Sequence, residues 1–525
     1  MPPTQTRSFS VLLAVCLAGG FLVRLVPACL TFLNPDEVLH YLLSHQPSLA
    51  ATYQATLTTA HPPLLILLLH YWQLLGHSEL VLRFPPLLAG TAFAGMMYLW
   101  LRRVSETSAA LIGLFLLLFS PALISVSAEV RQYALLLFFA ASSLYFLERA
   151  IEENSAPIML FSALALYLAL LTHYSSLIFA STLGIYALAR LRTTRTDAWV
   201  IAAWAIGQVG ALAICGVLYK SHLGKLQHSP VRQVISDTWL RTSIYHPGEG
   251  QIVVFALSRT VRLFRYLFSN GTIGVLFLLV FVGSILLLLL DQRPRSSDRK
   301  PTSRQLALVL TLPFFITTAV AVAGLYPYGG TRHDVLLATF AMSGIALGLA
   351  RLRIAKDWQW LAVLGVALAI GNLHPFPTPP FIKPKNQNRR LMIAAMNWLR
   401  QQAPPGSIFL TDYEGGLMLS YYLCPNRVVE IETTQPFLHS ACGDYRVVAS
   451  SPEVWSYDAQ TLPAALRVAQ QESSAETKAW LFQAGWIDDK QAEWIGELSQ
   501  LGCGTPQLFG QNILLCRIQA GATPR

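Results

Sequence analysis

Charge is what this sequence has least of. Asp, Glu, Lys and Arg make up 13% of its 525 residues and hydrophobic residues 54%, where a soluble chain carries about a quarter charged residues. The shortage is uneven. It falls on apolar runs separated by short basic connectors, the pattern of a multi-pass membrane protein, and charge returns only after Asn372. Cysteine is sparse too, and the spacing of the seven present fits no zinc site. Internal repeats and low-complexity segments are lacking. The net charge of +10, from 38 basic and 28 acidic residues, sits mainly in the connectors, so topology accounts for it and nucleic acid is excluded as a partner. The partner that this composition demands is a lipid bilayer.

Apolar runs fall at 10–33, 84–101, 109–126, 133–147, 157–171, 175–191, 198–218, 271–290, 306–325, 334–350 and 358–371. A crossing needs roughly 20 residues, so an α-helical polytopic bundle of about eleven spans is expected. The first run has only Arg7 before it and no small-residue cleavage site, so it reads as an uncleaved span. Leu64–Leu75 is too short to cross and suits an interfacial helix. Gln251–Phe268 carries Arg259, Arg262 and Arg265 on one helical face, which predicts an amphipathic helix on the membrane surface. Arg102 and Arg103, then Arg190, Arg192 and Arg195, then 293–304, then Arg351, Arg353 and Lys356 all fall on one side of this arrangement. That side is expected to be cytoplasmic, with the N-terminus. The opposite side receives Asn34–Pro63, Ser120–Gln132, Thr172–Tyr174, Tyr219–Asn270, Leu325–Asp334 and the tail.

The expected division is a membrane domain over 1–371 and a soluble extracytoplasmic domain over 372–525. In the tail, Asn388–Gln402 reads as a helix. Pro404-Pro405-Gly406 turns the chain into a strand at Ile408–Thr411. Helices near 459–471 and 488–500 and a strand near 512–519 complete a small α/β unit. Cys424, Cys442, Cys503 and Cys516 all lie there, and bridges among them suit an oxidising compartment, with three pairings open. Cys16, Cys29 and Cys215 lie in or beside apolar runs and read as packing residues.

The polar clusters lie in the outer connectors. Asn34-Pro35-Asp36-Glu37 has the signature of a helix start, with Asn as N-cap, Pro at the first position and Glu in the capping box. It also offers Asp36 as a general base, and His40 one turn on makes Asp36 and His40 a candidate metal pair. His61-Pro62-Pro63 forces an extended entry into the interfacial helix, and its imidazole can anchor at headgroups or meet a lipid phosphate. In Ser127–Tyr133, Glu129 and Arg131 stand at a membrane edge, where snorkelling is the plain reading and a phosphate-gripping guanidinium the functional one. Thr172-His173-Tyr174 and Tyr326–His333 add interfacial aromatics, with Arg332 beside Gly329-Gly330, a pair that lets backbone approach a ligand. Taken singly, each cluster is weak. Together they place acids, histidines and arginines from distant connectors on one face of the membrane.

Asp36-Glu37, His61-Pro62-Pro63-Leu64, Gly76-His77-Ser78-Glu79 with Arg83-Phe84-Pro85, Ser127–Tyr133, Thr172-His173-Tyr174 and Tyr326–His333, in this order, resemble the GT-C glycosyltransferases. The likeness is to bacterial relatives of protein O-mannosyltransferases and lipid A aminoarabinose transferases, over about residues 10–350. The resemblance implies a GT-C-like bundle in the bacterial cytoplasmic (inner) membrane, with the terminal domain periplasmic. It implies inverting transfer of a sugar from a polyprenyl-phosphate donor to a glycan, lipid or protein acceptor outside the cytoplasm. Asp36 takes the place of that family's essential acid, and Glu37 and Glu129 join it as catalytic candidates. His61, Arg131, Tyr133, His173, Tyr174, Arg332 and His333 are the expected donor phosphate and sugar ligands. Some relatives have lysine where this chain has His61. Relatives often have glutamine and alanine where it has Ala128 and Val130. No cofactor is certain beyond the donor substrate, with a divalent cation as a candidate at Glu129 or at the Asp36 and His40 pair. A polymerase or ligase moving a lipid-linked oligosaccharide needs much the same site. A lipid-sugar flippase, or a membrane scaffold presenting the tail, would not need these acids, and transporters bury ionisable groups at mid-membrane, where these runs hold almost none.

Overall fold

The computed structural model describes residues 3–59, 61–224, 240–248, 250–291, 298–351, 386–424, 437–451, 478–486 and 505–518, with isolated positions between. The helices are α1 (Pro3–Leu30), α2 (Pro35–Ser44), α3 (Leu49–Thr56), α4 (Leu64–Trp72), α5 (Glu79–Val104), α6 (Thr107–Phe119), α7 (Pro121–Ser127), α8 (Tyr133–Glu153), α9 (Ala156–Leu170), α10 (Ser176–Thr193), α11 (Ala198–Leu218), α12 (Ile252–Phe268), α13 (Gly271–Leu290), α14 (Ser303–Val322), α15 (Leu337–Arg351), α16 (Arg389–Gln402) and α17 (Tyr413–Tyr422). Six strands follow the bundle: β1 (Ile408–Thr411), β2 (Phe437–Cys442), β3 (Tyr445–Ser450), β4 (Ala479–Ala484), β5 (Gln507–Phe509) and β6 (Ile513–Arg517). Two compact units emerge. The first comprises Met1–Val26, Thr56–Leu65 and Arg83–Thr378, and the second Pro27–Ala55, Ile66–Leu82 and Pro379–Arg525.

The first unit is a helical bundle. Helix α8 packs on α9 and α10, α9 on α11, α10 on α14, α13 on α12, α14 and α15, and α15 on α6. Among the described residues six helices are long and apolar enough to cross a membrane, or seven if the bent pair α6–α7 is one span. The expected eleven is not reached by this measure. The runs at 157–171 and 334–350 form helices of only 15 residues each, and the run at 358–371 falls outside the described residues apart from Gly365.

The break between α6 and α7 bends the chain by 59° at Ser120-Pro121, where proline cannot donate to the helical ladder. Arg24 answers the freed acceptors. Its guanidinium donates to the carbonyls of Leu118 (2.7 Å) and Leu117 (3.0 Å), and to Gly20 in its own helix. A backbone break at membrane depth is tolerated only when such groups are satisfied inside the protein. Helix α12 forms where an amphipathic helix is expected, with Ile252, Val253, Val254 and Leu257 exposed in its first half and apolar residues packed inward in its second. Leu263, Phe264 and Leu267 are buried in the bundle core.

The basic connectors meet at one end of the bundle. Arg103 pairs with Glu152 (2.5 Å) and Glu153 (3.0 Å). Arg190, fully buried, holds Glu148 at 3.0 Å and donates to Thr194 and to the Arg299 carbonyl.

The second unit joins the tail to the first outer connector and to residues 66–82. Its mixed sheet has the order β2-β3-β1-β4-β6-β5, with β3, β1 and β4 parallel. Strand β1 is buried at all four positions, as a central strand covered on both faces must be. Helix α16 starts at the Asn388 cap and packs on β5 and β6, and α17 packs on β1, β3 and β4. The strands at 408–411 and 513–517 and the helix at 389–402 lie where the sequence places them. The helices expected near 459–471 and 488–500 fall outside the described residues apart from isolated positions. The four tail cysteines pair Cys424 with Cys442 and Cys503 with Cys516.

The Glu148–Arg190 pair yields a test. Glu148→Gln or Arg190→Met leaves one buried partner uncompensated and is expected to cost about 3–5 kcal/mol, whereas replacing both by apolar residues of similar volume restores most of the loss. Thermal unfolding in detergent measures both.

Candidate active site

In the first unit, connectors far apart in sequence converge. His61 leads into α4, Ser127–Gln132 links α7 to α8, Leu171–Ser175 links α9 to α10, and Tyr326–Asp334 links α14 to α15. The imidazoles of His61 and His173 stack with centroids 6.0 Å apart. Tyr133 lies 5.2 Å from His173 and 6.2 Å, edge-on, from His333. The Arg131 guanidinium sits 5.7 Å over the Tyr133 ring, within cation–π range. Arg332 pairs with Glu129 at 3.8 Å.

Both stacked histidines have a defined proton. Nδ1 of His173 accepts from the Ser175 backbone N–H (3.1 Å) and faces the Ser175 hydroxyl (2.8 Å). Nδ1 of His61 accepts from the Gln132 amide at 3.0 Å. An accepting Nδ1 leaves the proton on Nε2. Burial, with Arg131 beside it, lowers the His173 pKa to about 3, so this ring is a neutral N–H donor at working pH. The cluster therefore combines two guanidinium groups and two imidazole N–H donors, the chemistry that holds a phosphate oxygen.

Three of the candidates have surroundings of their own. Gly329 and Gly330 do have positive φ (121° and 81°), but what approaches them is protein. A Cβ on Gly330 would lie 2.7 Å from the Arg262 carbonyl oxygen, and one on Gly329 would meet Arg259. The pair docks the connector onto α12. Tyr174 turns away from its neighbour His173, lining an apolar cavity of about 340 Å³ with Leu170, Leu177, Cys215, Leu218 and Leu223. Glu37 completes the capping box with Asn34, taking its N–H at 2.9 Å while Asn34 Oδ1 takes that of Glu37 at 3.0 Å.

Asp36 lies in the second unit, half-buried on the first turn of α2. Burial, then the Asp36 carboxylate, pushes the phenol of Tyr413 up to about 12. The His40 imidazole is buried and bonds through Nδ1 to the Asp36 main-chain carbonyl at 2.6 Å. Among the described residues no three His, Cys, Asp or Glu side chains cluster as metal ligands.

Sequence reading missed Gln132, Ser175 and Asp334. Asp334 is 2% exposed. Its Oδ2 accepts from the Gly329 N–H (2.8 Å) and the Thr331 hydroxyl (3.3 Å), closing the turn that carries Arg332. The Gly-Gly-Thr run three residues ahead of an acid is the signal that could have revealed it.

The family model described as dolichyl-phosphate-mannose-protein mannosyltransferase matches residues 60–219. That stretch carries His61, Glu129, Arg131, Tyr133, His173 and Tyr174. No curated protein matches by sequence. ArnT from Cupriavidus metallidurans, bound to undecaprenyl phosphate, superposes with a TM-score of 0.55 at 14% identity, covering 99% of both chains. Its apo state gives 0.56 at 13%, covering 99% of this chain and 100% of that one. The fold is GT-C. An Archaeoglobus fulgidus oligosaccharyltransferase is also similar, at 11% identity over 90% of this chain and 69% of that one, but its TM-score of 0.47 is too low to weigh. Family model and fold point to one enzyme class, glycosyltransferase.

Two substitutions probe the turn. Burial raises the Asp334 carboxyl to about 7, against the lowering effect of its hydrogen bonds. A folded pKa above the unfolded one means that stability is full below about 4 and is lost as pH rises through 7. Asp334→Asn, which keeps an acceptor for Gly329 and Thr331, is expected to flatten that decline in melting temperature between pH 5 and 8. Gly330→Ala places a Cβ against the Arg262 carbonyl at a positive φ and is expected to cost about 1–3 kcal/mol, read by the same melts.

Proposed function

We propose that the protein transfers a sugar from a polyprenyl-phosphate donor to an acceptor at the extracytoplasmic face of the membrane. The observation that carries this reading is the meeting of Arg131, Arg332, His61 and His173 from four connectors of a GT-C bundle. In this reading the donor phosphate is held by Arg131 and by the Nε2–H groups of His61 and His173. Arg332, oriented by Glu129, completes the grip, and Tyr133 floors it. The tail of the donor lies in the bilayer.

Chemistry follows from charge. The acceptor hydroxyl attacks the anomeric carbon opposite the phosphate. The carbon–oxygen bond to phosphate breaks, and its electron pair leaves on the polyprenyl phosphate. Fixed cations and N–H donors stabilise that developing charge, so the leaving group needs no acid. The hydroxyl proton passes to a base, assigned to Asp36 from its place in the motif order. The anomeric configuration inverts. Basic connectors on the opposite side support a cytoplasmic N-terminus, and two disulfides in the second unit support an oxidising compartment for it.

Purified protein in liposomes with labelled polyprenyl-phosphate sugar tests the assignment. Asp36→Asn is expected to lower turnover by about 10²–10⁴-fold with donor affinity retained, and turnover near the native rate removes Asp36 as base. Arg131→Ala is expected to weaken donor binding about ten- to a hundredfold, and Arg131→Lys should recover little, since an ammonium lacks the planar fork. Unchanged donor affinity in Arg131→Ala refutes its phosphate role.

A further inference from the structure

Helix α17 of the tail is bound to the first outer connector along its length. At its C-terminal end, the Tyr422 hydroxyl accepts the Leu33 backbone N–H at 2.7 Å and donates to Glu79 Oε1 at 2.5 Å. Glu79, 4% exposed, pairs through its other oxygen with Arg389 at 2.5 Å. Next to it, Phe32 N–H donates to the Gln387 carbonyl (3.0 Å), the Gln387 amide returns a bond to the Phe32 carbonyl (3.0 Å), and Thr31 bridges Asn388. Tyr421 donates to the His77 carbonyl at 2.7 Å and meets the Tyr41 ring edge-on at 5.0 Å. At its N-terminal end stands Tyr413, in the field of Asp36.

Helix α17 is itself fixed. Asp412 caps it through Gly415 N–H (2.7 Å), buried Lys490 lies 3.5 Å from Asp412, and Glu414 accepts from Trp486 N–H (2.8 Å). Helix α2, by contrast, has only 10 residues, too few to be stable alone. The two residues before its Asn34 cap, Phe32 and Leu33, are fully buried. Their N–H groups need acceptors, and the tail supplies both. The tail thus sets where α2 begins.

We propose that the C-terminal domain is the positioning scaffold of the Asp36 helix, with Tyr422 as the positioning residue that joins Leu33, Glu79 and Arg389. This rests on the reading of Asp36 as base. It gives the domain a task other than acceptor binding. A carboxylate on a short helix is useful only if its start is fixed, because a displacement of about 1 Å can cost about a hundredfold in rate.

The test uses the full chain in liposomes with Tyr422→Phe, reading kcat, donor KM and hydrogen exchange over residues 31–44. The expected result is a kcat lowered about ten- to a hundredfold, a donor KM within about twofold of native, and faster exchange at Leu33 with the bundle helices unchanged. Glu79→Gln keeps an acceptor for Tyr422 and should lose less, and adding it to Tyr422→Phe should cost little more than Tyr422→Phe alone, since both act through one node. If Tyr422→Phe does not fold, Gln387→Ala, which removes only the bond to the Phe32 carbonyl, should show the same pattern at smaller size. Native kcat with faster exchange, or loss shared equally between kcat and donor binding, overturns the proposal. Asp36→Asn separates the two readings. Inactive Asp36→Asn beside native Tyr422→Phe sinks only the scaffold, whereas active Asp36→Asn sinks the base.

Discussion

In a bilayer every backbone polar group must find its partner inside the protein, and that constraint governs where this molecule keeps its chemistry. Regular helix fills the long apolar segments. Where the ladder breaks, at Ser120-Pro121, a buried arginine takes up the freed carbonyls. Extended backbone and tight turns are left to the connectors, and the candidate site residues of the first unit lie in or beside them. A reaction on a lipid headgroup has to be assembled from them, and His61, Glu129, Arg131, His173 and Arg332 come from four of them.

The same constraint explains what was legible. In a chain with so few charges, acids, histidines and arginines in the connectors stand out, and their order carried the GT-C resemblance. The strand at 408–411 was legible because the apolar run Ile408-Phe409-Leu410, just after the Pro-Pro-Gly turn, has few alternatives. Other features depend on partners distant in sequence. Gly329-Gly330 read as a place where backbone approaches a ligand, and the position of Arg262 shows that what approaches is protein. Gln132 is unremarkable until His61, 71 residues earlier, is found beside it. Tyr422 lies in the tail beside Tyr421, and nothing local reveals that its hydroxyl serves Leu33, 389 residues away. Helix length was not legible either, since an apolar run records hydropathy, and the runs at 157–171 and 334–350 form helices of 15 residues each.

For the histidines, local geometry decides which ring nitrogen accepts, a point that residue type leaves open. On the resemblance, His61 takes a place where some relatives have lysine. Its Nδ1 is occupied by Gln132, and that of His173 by Ser175. Each ring is thereby turned into a directional Nε2–H donor. Arg131, next to His173, opposes any second proton there. The cation and the neutral donors are parts of one arrangement.

Charge balance takes the argument one step further. On the proposed reading, Arg131 and Arg332 supply two positive charges and Glu129 removes one, leaving about one. A sugar linked to polyprenyl phosphate is a phosphodiester with a single negative charge, which such a site neutralises. The leaving polyprenyl phosphate is a monoester and carries about −1.5 to −2 at neutral pH. The extra charge appears only as the bond breaks, and it falls on oxygen atoms that the imidazole N–H groups can meet. Groups that interact more strongly with the departing phosphate than with the bound diester lower the barrier, and fixed guanidinium groups and imidazole N–H donors both do so as the charge grows. On this reading the two guanidinium groups and the N–H donors around them hold the departing phosphate more tightly than the bound diester, as a site matched to the transition state must.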